Sequence, residues 1–348
     1  MKKILGILLG FLGLSLFVTP VPASSCTNIS TSKGIMSVAI SNPDSFTGML
    51  DATGCQVGIY FNQSGSVNNA EIFGASYYGV FVDGNLNDTL VNITDSHIYN
   101  IGDLPNFSGA QHGVGIYYYG FDTPHNISGT VFDNVVELYQ KGGIVISGGN
   151  SYVDVSGNTV TGLGPVTFIA QNGIQFGYGA KGNVLKNIVD GDGNYYEGEN
   201  WTSTGILLFE TSNVQVIQNE VSNNQTGIAV ESWDWFVPSA NNNAIVNNKI
   251  LNADYGISVA ALAFDYNYSQ GSATANNNKV INNIVNMISG TGIQGIYIGA
   301  YHWPEGFKSF SPVANNNKVI RNLVTGYSEA ILLDGDTKTK EHANVTEP

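Results

Sequence analysis

The sequence predicts an all-β chain: a solenoid of about ten stacked coils with parallel strands, carrying long loops on its C-terminal coils. Three observations predict it. Short apolar strands open on a glycine at Gly58, Gly79, Gly115, Gly143, Gly173, Gly205, Gly227, Gly256 and Gly295, with Ala330 in the last place. Between them a second landmark recurs, an Asn followed two residues later by a branched apolar residue: Asn134/Val136, Asn158/Val160, Asn187/Val189, Asn219/Val221, Asn248/Ile250, Asn283/Val285 and Asn322/Val324. Near-copies ANNNAIVNNKI, ANNNKVINNIV and ANNNKVIRNLV begin at Ala240, Ala275 and Ala314.

One unit therefore holds a glycine-led strand, a turn or loop, a second strand ending in Asn and a brief third strand. Strands this short are not stable as isolated hairpins, and no helical period is present. Stacking each unit on the last pairs equivalent strands about 4.8 Å apart. Ile and Val then form a continuous core; Ile228 and Val230 point in, Ala229 and Glu231 out. An Asn repeated at one turn position supplies a ladder of amide hydrogen bonds to backbone that has no other partner.

Taken in order along the chain, residues 1–23 read as an export signal. Lys2 and Lys3 precede an apolar run from Ile4 to Val18, and Val21-Pro22-Ala23 fits a cleavage site. That run is short of the roughly 20 residues of a membrane span, and no later segment is apolar enough to provide one. An uncleaved anchor and a lipoprotein are the alternatives. Residues 24–57 have weaker periodicity and should cap the stack. Residues 58–333 form the solenoid, and 334–348 a polar tail. Cys26 and Cys55 are the two cysteines, and in an oxidising compartment they pair and close the N-terminal end.

Composition narrows the partners. The net charge is −14 and Arg321 is the single arginine. No basic cluster exists to neutralise phosphates, so nucleic acid is set aside. An acidic polysaccharide is repelled unless a divalent cation such as Ca bridges it. No cofactor motif or metal-type Cys/His spacing is present.

Long loops follow the glycine-led strands of three C-terminal coils: Glu231 to Ala240, Ala261 to Ala275 and Ala300 to Ala314. Insertions of this kind gather on one edge of a solenoid, where binding sits. Their rings, among them Trp233, Trp235, Tyr266, Tyr301 and Trp303, suit the flat faces of sugars. Glu231 stands among them as a further substrate-binding candidate. Asp234, Asp265 and Glu305 come from successive coils, so the paired carboxylates of glycoside hydrolysis are within geometric reach. His302 is a fourth catalytic candidate. A second loop set, Leu104 to His112, Leu163 to Gln171 and Asp190 to Trp201, should form the opposite rim. The floor between would be Tyr117, Gln175, Leu207, Ala229, Ser258 and Tyr297.

The Gly-Ile strands, Asn-x-Val units and coil length resemble the right-handed parallel β-helix of the pectate lyase-like superfamily, over Gly58 to Leu333. Within it, Tyr119-Gly120-Phe121-Asp122-Thr123-Pro124-His125 is similar to the Tyr-Gly-Phe-Asp-Pro-His stretch of alginate epimerases. That resemblance implies acid and base roles for Tyr119 and His125, and uronate binding by Asp122. Thr123 is an insertion relative to it, and the next coil reads KGGIVIS where the family places acidic residues. The expectation is an exported or cell-surface protein that binds or processes a neutral or cation-bridged polysaccharide or cell-surface glycan. The alternative is a non-catalytic adhesion or structural protein; the sequence leaves the oligomeric state open.

Overall fold

The computed structural model describes residues 21–22, 25–192, 202–234, 236–263, 271–302, 311–335 and 338–347. Among them, twelve strands form one sheet and 21 strands form a second, larger one. The glycine-led strands make the first. From Val114–Tyr119 onward they run Gly142–Ser147, Asn172–Gly177, Thr204–Phe209, Thr226–Trp233, Tyr255–Ala263, Gly292–His302 and Tyr327–Asp334, all parallel and in register. The register lines up Ile116, Ile144, Ile174, Ile206, Ile228, Ile257, Ile296 and Ile331 in a single column, one residue per coil. The second and third strands of each coil fill the other sheet, where Val136, Val160, Val189, Val221, Ile250, Val285 and Val324 form another column. No helix among the described residues is long and apolar enough to cross a membrane.

The two sequence landmarks meet in space. A Cβ built on Gly227 would lie 2.5 Å from Ile250 Cγ2 and 2.6 Å from the Gly256 carbonyl oxygen; at Gly205 it would lie 2.5 Å from Val221 Cγ1. The branched residue of the third strand therefore occupies the volume that any larger residue at the glycine would need. The coil cross-section closes only when both are present.

The asparagines satisfy the turn between the second and third strands. Asn187 Oδ1 accepts both the Asn158 backbone N–H and Nδ2 at 2.9 Å, and Asn187 Nδ2 donates to the Val155 carbonyl at 3.0 Å. The pattern repeats through Asn219, Asn248, Asn283, Asn322 and Asn344, each bonded to the next. The NNN runs divide the work. Asn241 and Asn276 accept backbone N–H groups of the following coil on the outside. Asn242, Asn277 and Asn316 take left-handed φ of 59°, 58° and 57°, which Asn tolerates. Asn243 and Asn278 accept, in the interior, from the coils before them.

At the N-terminal end Thr27–Thr31 pairs antiparallel with Gly34–Ser41, which itself pairs parallel with Val57–Phe61. Cys26 and Cys55 are joined by a disulfide, with Cα atoms 5.6 Å apart. At the other end the polar tail continues the stack. Lys340–His342 and Val345–Glu347 pair parallel with Lys318–Ile320 and Leu323–Thr325, and Asn344 extends the asparagine column. Nothing among the described residues covers this last coil. Glu341 and Thr346 therefore stand where Val319 and Val324 stand one coil earlier. Polar residues at these positions suit a coil that no described residue covers.

Candidate functional site

Along each glycine-led strand the residues that point away from the core form rows running down the helix axis. The first row is the residue just before each landmark glycine: Asn172, Thr204, Thr226, Tyr255 and Gln294. The second is Gln175, Leu207, Ala229, Ser258, Tyr297 and Leu332. A third is Phe209, Glu231, Ala260, Gly299 and Asp334, and a fourth Trp233, Leu262 and Tyr301. All of these except Ala229 and Gly299 line a groove of about 1060 Å³. Gly109, Gln111, Phe168, Ile169 and Ala170, from the loops preceding the strands, form one rim; Tyr178, Phe209, Trp233 and Tyr301 form the other.

The floor is close to the expected one. Gln175, Leu207, Ser258 and Tyr297 line it, whereas Ala229 is fully covered and Tyr117 belongs to an aromatic cluster beyond the groove. Gly299 lets Tyr297 lie flat, since a Cβ there would fall 2.0 Å from the Tyr297 hydroxyl. The aromatic rim is braced by ring contacts: Phe209 meets Trp233 edge-on at 4.9 Å between centroids, and Tyr178 meets Phe209 at 5.4 Å. Phe121 and Phe236 pack against Tyr178 from outside the groove.

Three of the substrate-binding candidates, Glu231, Trp233 and Tyr301, line the groove. Trp233 and Tyr301 share one row two coils apart, with Leu262 between them. Trp235, Tyr266, Trp303, Asp265 and Glu305 lie outside the described residues, as does the side chain of His302, whose backbone pairs with Ala263. Asp234 is fully buried and is not among the groove-lining residues. Strand alternation accounts for this: Trp233 takes the outward position and its neighbour turns away. Tyr119, Asp122 and His125 also stay off the groove. Asp122 is exposed, His125 Nδ1 lies 3.7 Å from Asp88, and the Tyr119 ring stacks beneath Lys33.

Removal from water raises the carboxyl pKa of Glu231 to about 7, and a hydrogen bond with Trp233 offsets part of that rise. Burial also raises the Tyr301 hydroxyl, with the Glu231 charge adding to it. Lys141, on the floor near Asn172, is lowered to about 8 by burial. Its Nζ donates to the Ala170 carbonyl at 2.7 Å. Glu231 and Asp334 are the carboxylates lining the groove among the described residues. They stand three strand spacings apart, roughly 14 Å, against at most about 9.5 Å for a hydrolytic pair. No group of three or more His, Cys, Asp or Glu among the described residues is placed to hold a metal ion.

Lys141, Asn172, Tyr178, Phe209 and Tyr255 are absent from the candidates drawn from the sequence. For Phe209 the signal was present, since the fourth residue after a landmark glycine shares the outward parity of the floor; Asn172 and Tyr255, one residue before a glycine, have the opposite parity, and Lys141 and Tyr178 lie just outside the strands.

Residues 78–302 match the family model described as a right-handed β-helix region. Among solved structures the chain is similar to the periplasmic alginate epimerase AlgG, at 13% identity and a TM-score of 0.51, over 86% of this chain and 73% of that one. It is likewise similar to the A-module of the Azotobacter vinelandii mannuronan C-5 epimerase AlgE4, at 16% identity and a TM-score of 0.51, over 87% and 76%. No curated protein matches the sequence. At this identity the likeness is one of fold. Stacked parallel coils in constant register, with a family match spanning most of them, show that the chain belongs to the right-handed parallel β-helix family, with a pectate lyase-like fold.

Proposed function

We propose that the chain is an exported glycan-binding protein, and that its groove holds a neutral polysaccharide along the helix axis. One observation carries this reading. A rim of four aromatic rings, Tyr178, Phe209, Trp233 and Tyr301, faces a floor of uncharged hydrogen-bonding side chains. Rings offer apolar faces to pyranose rings, while Asn172, Gln175, Thr204, Thr226, Ser258 and Gln294 offer donors and acceptors to hydroxyls. Among the described residues Lys141 is the one basic side chain in the lining, and the whole chain carries −14. A uronate polymer would be repelled by that field, so a neutral chain fits better. The alginate epimerases of like fold are consistent with a polysaccharide partner.

A chemical step at this site would fall to Glu231. With a pKa raised to about 7, its carboxyl is populated both protonated and ionised near neutrality, as a general acid or base requires.

A glycan array probed with the full chain, and with Trp233→Ala and Tyr301→Ala, tests the reading. Neutral oligosaccharides should bind, and each variant should weaken the signal about tenfold, as expected when an aromatic anchor worth more than about 1 kcal/mol is truncated. Hits confined to acidic glycans, or unchanged by both substitutions, would remove the aromatic groove from the reading; no glycan binding at all would favour a non-catalytic adhesion role.

A further inference from the structure

The outer face of the glycine-led sheet is not open along its whole length. Over Val57–Phe61, Tyr78–Asp83 and Val114–Tyr119 it carries a second apolar cluster in which Tyr60, Tyr78, Phe81 and Tyr119 are buried. The N-terminal hairpin folds onto that cluster. The Ser32 backbone N–H donates to Asp83 Oδ2 at 2.9 Å, and Lys33 Nζ lies 4.1 Å from the centre of the Tyr119 ring. The disulfide between Cys26 and Cys55 fastens the other end of the hairpin to the body. Tyr117 then reaches over the next coil to bond with Ser147, and Val145 keeps 8% exposure. The groove floor therefore begins only at Asn172 and Gln175. From there it runs across six strands, roughly 24 Å at the parallel spacing. It ends at Leu332 and Asp334, and Asp334 is exposed. Among the described residues the slot is stopped at one end and open at the other.

The stopped end is also a polar end. Asn172 Oδ1 is buried and accepts no hydrogen bond from the protein, while its amide donates to Gln175 Oε1 at 3.0 Å. Beside it, Lys141 Nζ donates to the Ala170 carbonyl, and an ammonium carries three donors. Asn172 thus keeps acceptor capacity that the protein leaves unused, at the closed end of a polar slot whose lining it shares.

We infer that the groove recognises the end of a glycan chain, which enters past Asp334, lies along the aromatic rim and seats its terminal sugar at Lys141, Asn172 and Gln175. This rests on the glycan reading of the groove. An internal stretch of polymer has no exit beyond Tyr117, whereas a chain end needs none.

Titration calorimetry on the full chain tests it, using hexasaccharides of glucose, mannose and galactose. Each is also prepared with its reducing end converted to the alditol, or with its non-reducing end blocked as a benzylidene acetal. For the sugar that binds, one modification should lower affinity at least tenfold and the other less than twofold. One protein should bind per chain whatever the chain length. Asn172→Ala should erase the discrimination between free and modified ends, while Trp233→Ala weakens all forms alike. Equal affinity for all three forms, several proteins on a longer chain, or discrimination retained in Asn172→Ala overturns end recognition and leaves the groove reading standing. If no unmodified sugar binds, both fall together.

Discussion

At the scale of single residues, two kinds of side chain decide the outcome: those the stack cannot replace and those it leaves free. Asn219 is of the first kind. It donates to the Val184 carbonyl and to Asn248, and accepts from Asn187 twice. Asn219→Ala leaves the buried Asn187 N–H and Val184 carbonyl unpaired, at about 1–3 kcal/mol for each such group. The expected result is a fall of roughly 3 kcal/mol in stability, read from the urea midpoint at constant slope. Glu231 is of the second kind. Its folded pKa is raised from 4.5 to about 7, so the folded state binds more protons than the unfolded state between those values. Stability therefore declines as pH rises through that window. Asp192 and Asp254, also raised by burial, act in the same direction. Glu231→Gln should thus shrink, without abolishing, the drop in melting temperature between pH 5 and pH 8. An unchanged drop would mean that the carboxyl is well hydrated.

At the scale of elements, the repeat was legible in the sequence because each landmark has one steric cause. Gly205 is a glycine because Val221 fills its Cβ position, and Asn187 is an asparagine because its turn backbone needs an amide. Both recur with the coil, so the sequence repeats them at its own period. The ends were less legible. Residues 340–347 are exposed and lack the apolar pattern, so the sequence showed them only as a polar tail. The N-terminal hairpin likewise depends on where Asp83 and Tyr119 arrive in space, and no local period encodes that. A disulfide closing a loop of this length contributes about 3–4 kcal/mol by chain entropy. Replacing Cys26 and Cys55 with serine should loosen the hairpin first. Limited trypsin digestion should then cut at Lys33 in the variant and not in the parent; equal resistance would show that Asp83 and the aromatic cluster hold the hairpin unaided.

At the scale of the whole molecule, the groove is a product of stacking. Tyr178, Phe209, Trp233, Tyr255, Tyr297 and Tyr301 are scattered along the sequence, yet all line one slot. The floor was readable because outward parity follows from the strand pattern. The walls were not, because Lys141 and Tyr178 enter the slot through the packing of neighbouring coils. Asp234 drew attention by its loop neighbours and is buried instead. The most direct test is hydroxyl-radical footprinting of the full chain with and without a neutral hexasaccharide that it binds. These six rings, and Phe168 on the opposite rim, should lose reactivity together. Phe132 and Tyr152, exposed on the other sheet, should keep theirs. Protection confined to one loop, or appearing on Phe132 and Tyr152, would contradict a single ligand groove assembled from successive coils.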